Sequence, residues 1–191
     1  EITVQPAASQ TVCVGQGATF TVTAGATTSP TYQWRKGGSP IGGATSASYT
    51  IGSVVSGDAG SYDVVVSGTC SPSITSSASS LTVNTAPAIT VQPVSTQAVC
   101  EGSSASFSVT ATGTGLSYQW KKNGVDISGA TSSSYSIAST ATADGGTYTV
   151  SVSGSCTPTV TSTGSVLTIR EQPEITVQPA ASQTVCVGQG A

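Results

Sequence analysis

The chain predicts an all-β fold of tandem two-sheet sandwiches. Three observations carry that prediction: short segments that alternate apolar and polar residues, Gly/Pro/Ser/Asn punctuation between them, and an internal repeat about as long as one sandwich. Residues 1–18, EITVQPAASQTVCVGQGA, recur letter for letter at 174–191, a period of 173 residues. The period is itself double, because ITVQP begins at Ile2, Ile89 and Ile175, and Trp34/Trp120, Tyr62/Tyr148 and Cys70/Cys156 are each 86 positions apart. This spacing divides the chain into a first unit over 1–87, a second over 88–173 and the opening of a third over 174–191.

Within the first unit the alternating segments are ATFTVTA (18–24), TYQW (31–34), ASYTIG (47–52), SYDVVVS (61–67) and SSLTV (79–83). Their counterparts in the second are SASFSVTA, SYQW, SSYSIA, TYTVSVS and SVLTI. Thr, Val and Tyr suit a pleated, half-buried surface, and no stretch has the apolar periodicity of a helix. Gly37-Gly38 and Asn123-Gly124 predict hairpin turns, since each of these residues tolerates positive φ. Each unit is expected to hold about seven or eight strands, enough for a sandwich. The aromatics fall at core-facing places: Phe20/Phe107, Tyr32, Trp34/Trp120, Tyr49/Tyr135 and Tyr62/Tyr148. Between Val83 and Ile89, and between Ile169 and Ile175, lie NTAPA and REQPE, each with one Pro that restricts φ and the preceding residue. An extended rod with a repeatable joint is expected, each unit adding roughly 35–45 Å.

Composition narrows the function. Charged residues make up 7% of the chain, against roughly 25% in ordinary soluble domains. Five basic groups and a net charge of -3 offer too little positive field to hold a phosphate backbone, so nucleic acid is not an expected partner. No apolar run approaches a membrane span, and with Glu1 first and no Met, any signal peptide, anchor or sorting tail is expected outside this segment. Without His, a Ser-His-Asp or Cys-His constellation cannot form, and the eight carboxylates are scattered; the chain is expected not to be an enzyme and to need no cofactor. Zinc would need four ligands at short spacing, yet there is neither His nor C-x-x-C. Glu101 and Asp126 correspond in the first unit to Val14 and Pro40, which argues against a calcium site common to the units. Asp58 and Asp144, the carboxylates at a repeated motif position, are expected to cap a turn beside Tyr62 and Tyr148. Arg35-Lys36 and Lys121-Lys122 read as solvated turns, and TSSASS (75–80) and TSTGS (161–165) as outward positions.

Trp34, twelve residues after Val22, and Asp58-Ala-Gly-Ser-Tyr62 before DVVV resemble the immunoglobulin-like I-set pattern of a buried strand-C Trp and a D-x-G-x-Y corner before strand F. Trp120 and Asp144-Gly-Gly-Thr-Tyr148 repeat it, so the resemblance spans both units. More narrowly, TVC-x-G, YQW and SG-x-C-x-P are similar to the tandem modules of giant surface proteins in gliding and filament-bearing bacteria that export through a type IX system. That likeness implies an extracellular, cell-surface address.

The cysteines depart from the family. Where it places an intersheet disulfide on strands B and F, this chain has Val22 and Val64, then Val109 and Val150. Cys13 and Cys100 instead precede the first strand-B residues, and Cys70 and Cys156 follow strand F. On the path that the resemblance implies, Cys13 and Cys70 lie at opposite poles, roughly 20–25 Å apart, whereas a disulfide spans about 4.4–6.8 Å. A cross-unit bridge, Cys13 to Cys156, is therefore preferred. The within-unit pairs Cys13–Cys70 and Cys100–Cys156 remain open, as do bonds between separate chains and free thiols, and Cys186 would find its partner outside the segment. Two function classes follow: a structural repeat of a long extracellular filament or stalk presenting a distal tip, or a repeated adhesive module engaging polysaccharide or cell surfaces along its length. The near-identical units favour the stalk. The weakly charged surface adds the expectation that copies of the chain associate side by side.

Overall fold

In the computed structural model, which describes the chain apart from residues 27, 70, 71, 172, 180, 183, 185 and 189–191, the alternating segments become ten short strands per module. Module 1 holds β1 (Ile2–Val4), β2 (Ser9–Cys13), β3 (Ala18–Thr21), β4 (Thr23–Ala24), β5 (Thr31–Lys36), β6 (Ser39–Pro40), β7 (Ser48–Ile51), β8 (Gly60–Ser67), β9 (Ile74–Thr75) and β10 (Ser79–Asn84). Module 2 repeats the series as β11 (Ala88–Val91), β12 (Thr96–Cys100), β13 (Ala105–Ser108), β14 (Thr110–Thr112), β15 (Ser117–Lys122), β16 (Val125–Asp126), β17 (Ser134–Ile137), β18 (Gly146–Ser153), β19 (Val160–Thr161) and β20 (Ser165–Arg170). The count exceeds seven or eight because two runs divide. The opening run breaks at the buried Pro6 and changes partner, β1 pairing β4 and β2 pairing β10. ATFTVTA divides at Val22, with β3 on β7 and β4 on β1.

One sheet of module 1 runs β2-β10-β8-β5-β6, with β9 on β8, and faces the β3–β7 and β1–β4 pairs; module 2 has the same order. The β2–β10 and β12–β20 pairings are parallel, placing Cys13 opposite Asn84 and Cys100 opposite Arg170. The turns Gly37-Gly38 and Asn123-Gly124 join β5 to β6 and β15 to β16 with all four φ values positive.

Each core sits around a Trp with no exposed surface. Phe20 stacks on Tyr62 at 4.5 Å and lies 6.0 Å from Trp34; Phe107 stacks on Tyr148 at 4.3 Å and lies 6.0 Å from Trp120. The indole N–H groups donate to Ser46 O and Ser132 O, both at 2.9 Å, so neither buried donor is left unmet. Val22, Val64, Val109 and Val150 fill the space between the sheets with apolar surface.

Two expectations are corrected. In the segments 75–80 and 161–165, Ser76, Ser79, Ser162 and Ser165 are buried rather than outward. The hydroxyls of Ser76 and Ser162 accept from Val64 N and Val150 N at 3.1 and 3.0 Å, so a small polar residue serves backbone that a larger one would crowd out. The basic pairs are also more than solvated turns. Arg35 donates to both oxygens of Asp63 at 2.6 and 3.0 Å, and Lys36 donates to Gly57 O beneath a cation–π contact with Tyr62. Lys121 pairs with Asp126, and Lys122 donates to Ala143 O.

Candidate functional site

The residues that do most to distinguish this chain from a plain pair of sandwiches meet where the modules join. The parallel run of β2 beside β10 brings Cys13 to the pole from which the linker leaves. β18 runs antiparallel to β20 and ends at the facing pole of module 2, delivering Cys156 there. Cys13 and Cys156 are disulfide-bonded, with Cα atoms 5.9 Å apart and a sequence separation of 143. Cys156 is buried. Cys100, the counterpart of Cys13, stands at the far pole of module 2; it and Cys186 are exposed and have no disulfide partner among the described residues, outside which Cys70 lies.

Backbone hydrogen bonds lace the four segments that converge on the bridge. Val14 N donates to Asn84 O at 2.9 Å, Thr114 N to Thr85 O at 3.1 Å, and Ser155 N to Thr114 O at 2.8 Å. Thr85 N also donates to the Thr114 hydroxyl at 3.0 Å. The linker is thus clamped from both sides, and the Cys13 sulfur lies 4.0 Å from Ser155 O. Gly113 and Gly154 make room for it. Gly113 has φ +140°, and a side chain there would come within 2.9 Å of Pro87 Cα; one at Gly154 would come within 2.9 Å of Thr114 O. Sequence reasoning passed over these two glycines. The signal was present, since GTGL (113–116) replaces ATTSP (26–30) and shortens the loop by one residue.

The corner motifs are structural. The Asp58 carboxylate accepts from Val55 N at 2.8 Å and closes the short 3-10 turn Ser56–Asp58, while Tyr62 OH donates to Asp58 O at 2.7 Å. Asp144 does the same for Ala141 N, and Tyr148 OH donates to Asp144 O, both at 2.8 Å. Burial, reinforced by the neighbouring Asp58 and Asp144 charges, pushes the Tyr62 and Tyr148 hydroxyls up to about 12. The hydrogen bond to Asp63 likewise raises the pKa of Arg35. Among the described residues no group of three or more His, Cys, Asp or Glu could hold a metal ion.

A strand-C Trp, a Tyr corner and two facing sheets are the marks against which known proteins can be compared, and the immunoglobulin domain family matches residues 1–67 and 86–154. The chain belongs to that family. Among solved structures it is similar to the I-band fragment from titin (20% identity, 90% of this chain and 65% of that one, TM-score 0.74). It is also similar to the immunoglobulin domains 1–4 of Sidekick-1 (19% identity, 89% and 48%, TM-score 0.73). At these identities the likeness is one of fold. A curated relative, the decoration protein of Escherichia phage T5, is 44% identical over 78 residues, and the match takes in 40% of this chain and 48% of that protein. The immunoglobulin-domain chain spans about half of that relative's length. An immunoglobulin-domain chain carrying a disulfide fits a secreted or extracellular setting, where such bonds persist.

Proposed function

We propose that this chain is a structural segment of a long extracellular filament or stalk, built from stacked immunoglobulin-like modules that present a distal attachment or capture tip. The stapled joint carries the reading: a disulfide and a laced linker between neighbouring modules favour a fixed direction from one module to the next. A flexible tether would be served by a bare linker. The outer poles are consistent with continuation of the array. Exposed Cys100 sits beside a hollow lined by Glu101, Glu171 and Glu174, while the opposite outer pole has its own hollow beside Glu1, Ala26 and Thr28. In an array, Cys100 would staple to the cysteine at the Cys70 position of a following copy. The TVC-x-G and SG-x-C-x-P resemblance supports a bacterial surface protein exported through a type IX system.

Copies of the chain are proposed to associate laterally, because outward Ser, Thr and Ala positions cost little to desolvate and repetition adds weak contacts in register. Small-angle scattering on the two-module chain tests the rod: a maximum dimension near two module lengths supports it, and a folded-back pair refutes it. Mass per unit length of native filaments tests the bundle, since a value equal to one chain rules it out.

A further inference from the structure

Tension applied to the ends of a chain follows the shortest covalent path between them. Here that path enters at Glu1, leaves the backbone at Cys13, crosses to Cys156 and continues through β19 and β20. The bridge joins positions 143 apart, so most of module 1 and module 2 up to the end of β18 lie off the path. We infer that the Cys13–Cys156 staple makes the chain an almost inextensible covalent spine, which carries load past every buried residue of the two hydrophobic cores except Leu167 on β20. The inference rests on the stalk reading for its biological use but not for its mechanics.

The geometry of the two loaded segments gives the spine its small slack. From Glu1 to Cys13 the chain crosses module 1 once, ending at the joint because β2 runs parallel to β10 and Cys13 stands opposite Asn84. From Cys156 to Arg170 it crosses module 2 once, ending at the far pole opposite Cys100. Fully extended, these segments reach roughly 40 and 50 Å at about 3.4 Å per residue, against a folded module of roughly 35–45 Å. Module 1 can therefore yield at most ~5 Å, and module 2 about 5–15 Å, before the covalent path is taut. Trp34, Tyr62, Trp120 and Tyr148 all lie inside the shielded loop. The recurrence of residues 1–18 places Cys186 thirty positions after Cys156, so a following copy stapled alike would again leave only a short stretch of each 173-residue period under load.

A within-module disulfide on strands B and F would not do this. It would shield part of one module and leave the joint as the unprotected link. Here the bridge spans the linker as well, so the joint and all of the two buried cores but Leu167 are bypassed together.

The test is single-molecule pulling of the whole chain from handles at its two ends, with the Cys13–Cys156 linkage verified by peptide mass spectrometry. Without reductant the trace should show no module-sized step. With dithiothreitol, two module-sized steps should appear and the final contour length should grow by roughly 500 Å, the extended length of the loop. The doubly substituted chain Cys13→Ser/Cys156→Ser should behave as the reduced chain does. Module-sized steps in the oxidised chain, or failure to find the linkage, would overturn the spine. The scattering measurement above bears on the rod independently, so a folded-back pair that still hides the loop retires the stalk and keeps the spine.

Discussion

The two modules are alike inside and unlike at their edges. Their aromatic centres agree closely, with the Phe–Trp separation 6.0 Å in both and the Phe–Tyr stack at 4.5 and 4.3 Å. The charge pairs do not agree. Module 1 joins Arg35 to Asp63 across β5 and β8, whereas module 2 has Thr149 in place of Asp63 and joins Lys121 to Asp126 across β15 and β16. The poles differ most: module 2 offers Gly113 to the incoming Pro87, while module 1 has Ala26 at that place. The lesson is that core geometry makes each module a repeatable building block, while edge residues tell one module from the other.

Removing a core Trp tests that likeness hardest. Trp34→Ala and Trp120→Ala should each cost about 3–5 kcal/mol, because the substitution empties a fully buried site. With the disulfide reduced, each variant should melt its own module first, giving two calorimetric transitions. A single transition would show that the modules do not fold as separate units.

Reducing the Cys13–Cys156 bridge should come next in size, lowering stability by about 2–4 kcal/mol through release of loop entropy. Chemical melts with and without reductant measure it. Equal midpoints would mean that the laced linker alone couples the modules.

Alkali should strike both modules together. Tyr62 and Tyr148 are each raised to about 12, so the folded chain keeps a proton that the unfolded chain releases from about pH 10. The contribution is whole below pH 10 and is lost as pH rises through 12, at most about 2–3 kcal/mol per module. Melting temperature followed from pH 8 to 12 should fall only above 10, and the double Tyr62→Phe/Tyr148→Phe chain, less stable at pH 8, should show a flatter alkaline limb. An unchanged slope would deny the tyrosines this role.

The smallest effect separates two buried serines. Ser76→Ala leaves Val64 N without its acceptor and should cost about 1–3 kcal/mol. Ser79→Ala removes a buried hydroxyl with no hydrogen-bond partner among the described residues and should be neutral or mildly stabilising. Urea midpoints of the two variants, and of Ser162→Ala and Ser165→Ala in module 2, should preserve the order.

Much of this architecture is local in origin and therefore legible in the sequence. Alternation in SYDVVVS makes β8 because every second side chain must meet one apolar face, and Gly37-Gly38 and Asn123-Gly124 turn because their φ values can be positive. The repeat of Trp34 and Tyr62 at Trp120 and Tyr148 announces two cores without reference to any fold.

What only the tertiary structure decided are the meetings of residues far apart in the chain. No periodicity shows that Ser76 faces inward to serve Val64, that Asp63 rather than solvent receives Arg35, or that Gly113 and Gly154 hollow out a seat for Pro87. The cysteine spacing left two pairings open. The choice between them belongs to the parallel run of β2 beside β10 and to the end of β18 at the facing pole, which bring Cys13 and Cys156 within bonding reach across 143 residues. The physical reason is that a strand's own residues dictate its alternation, while the place where its end arrives depends on every other strand in the sheet.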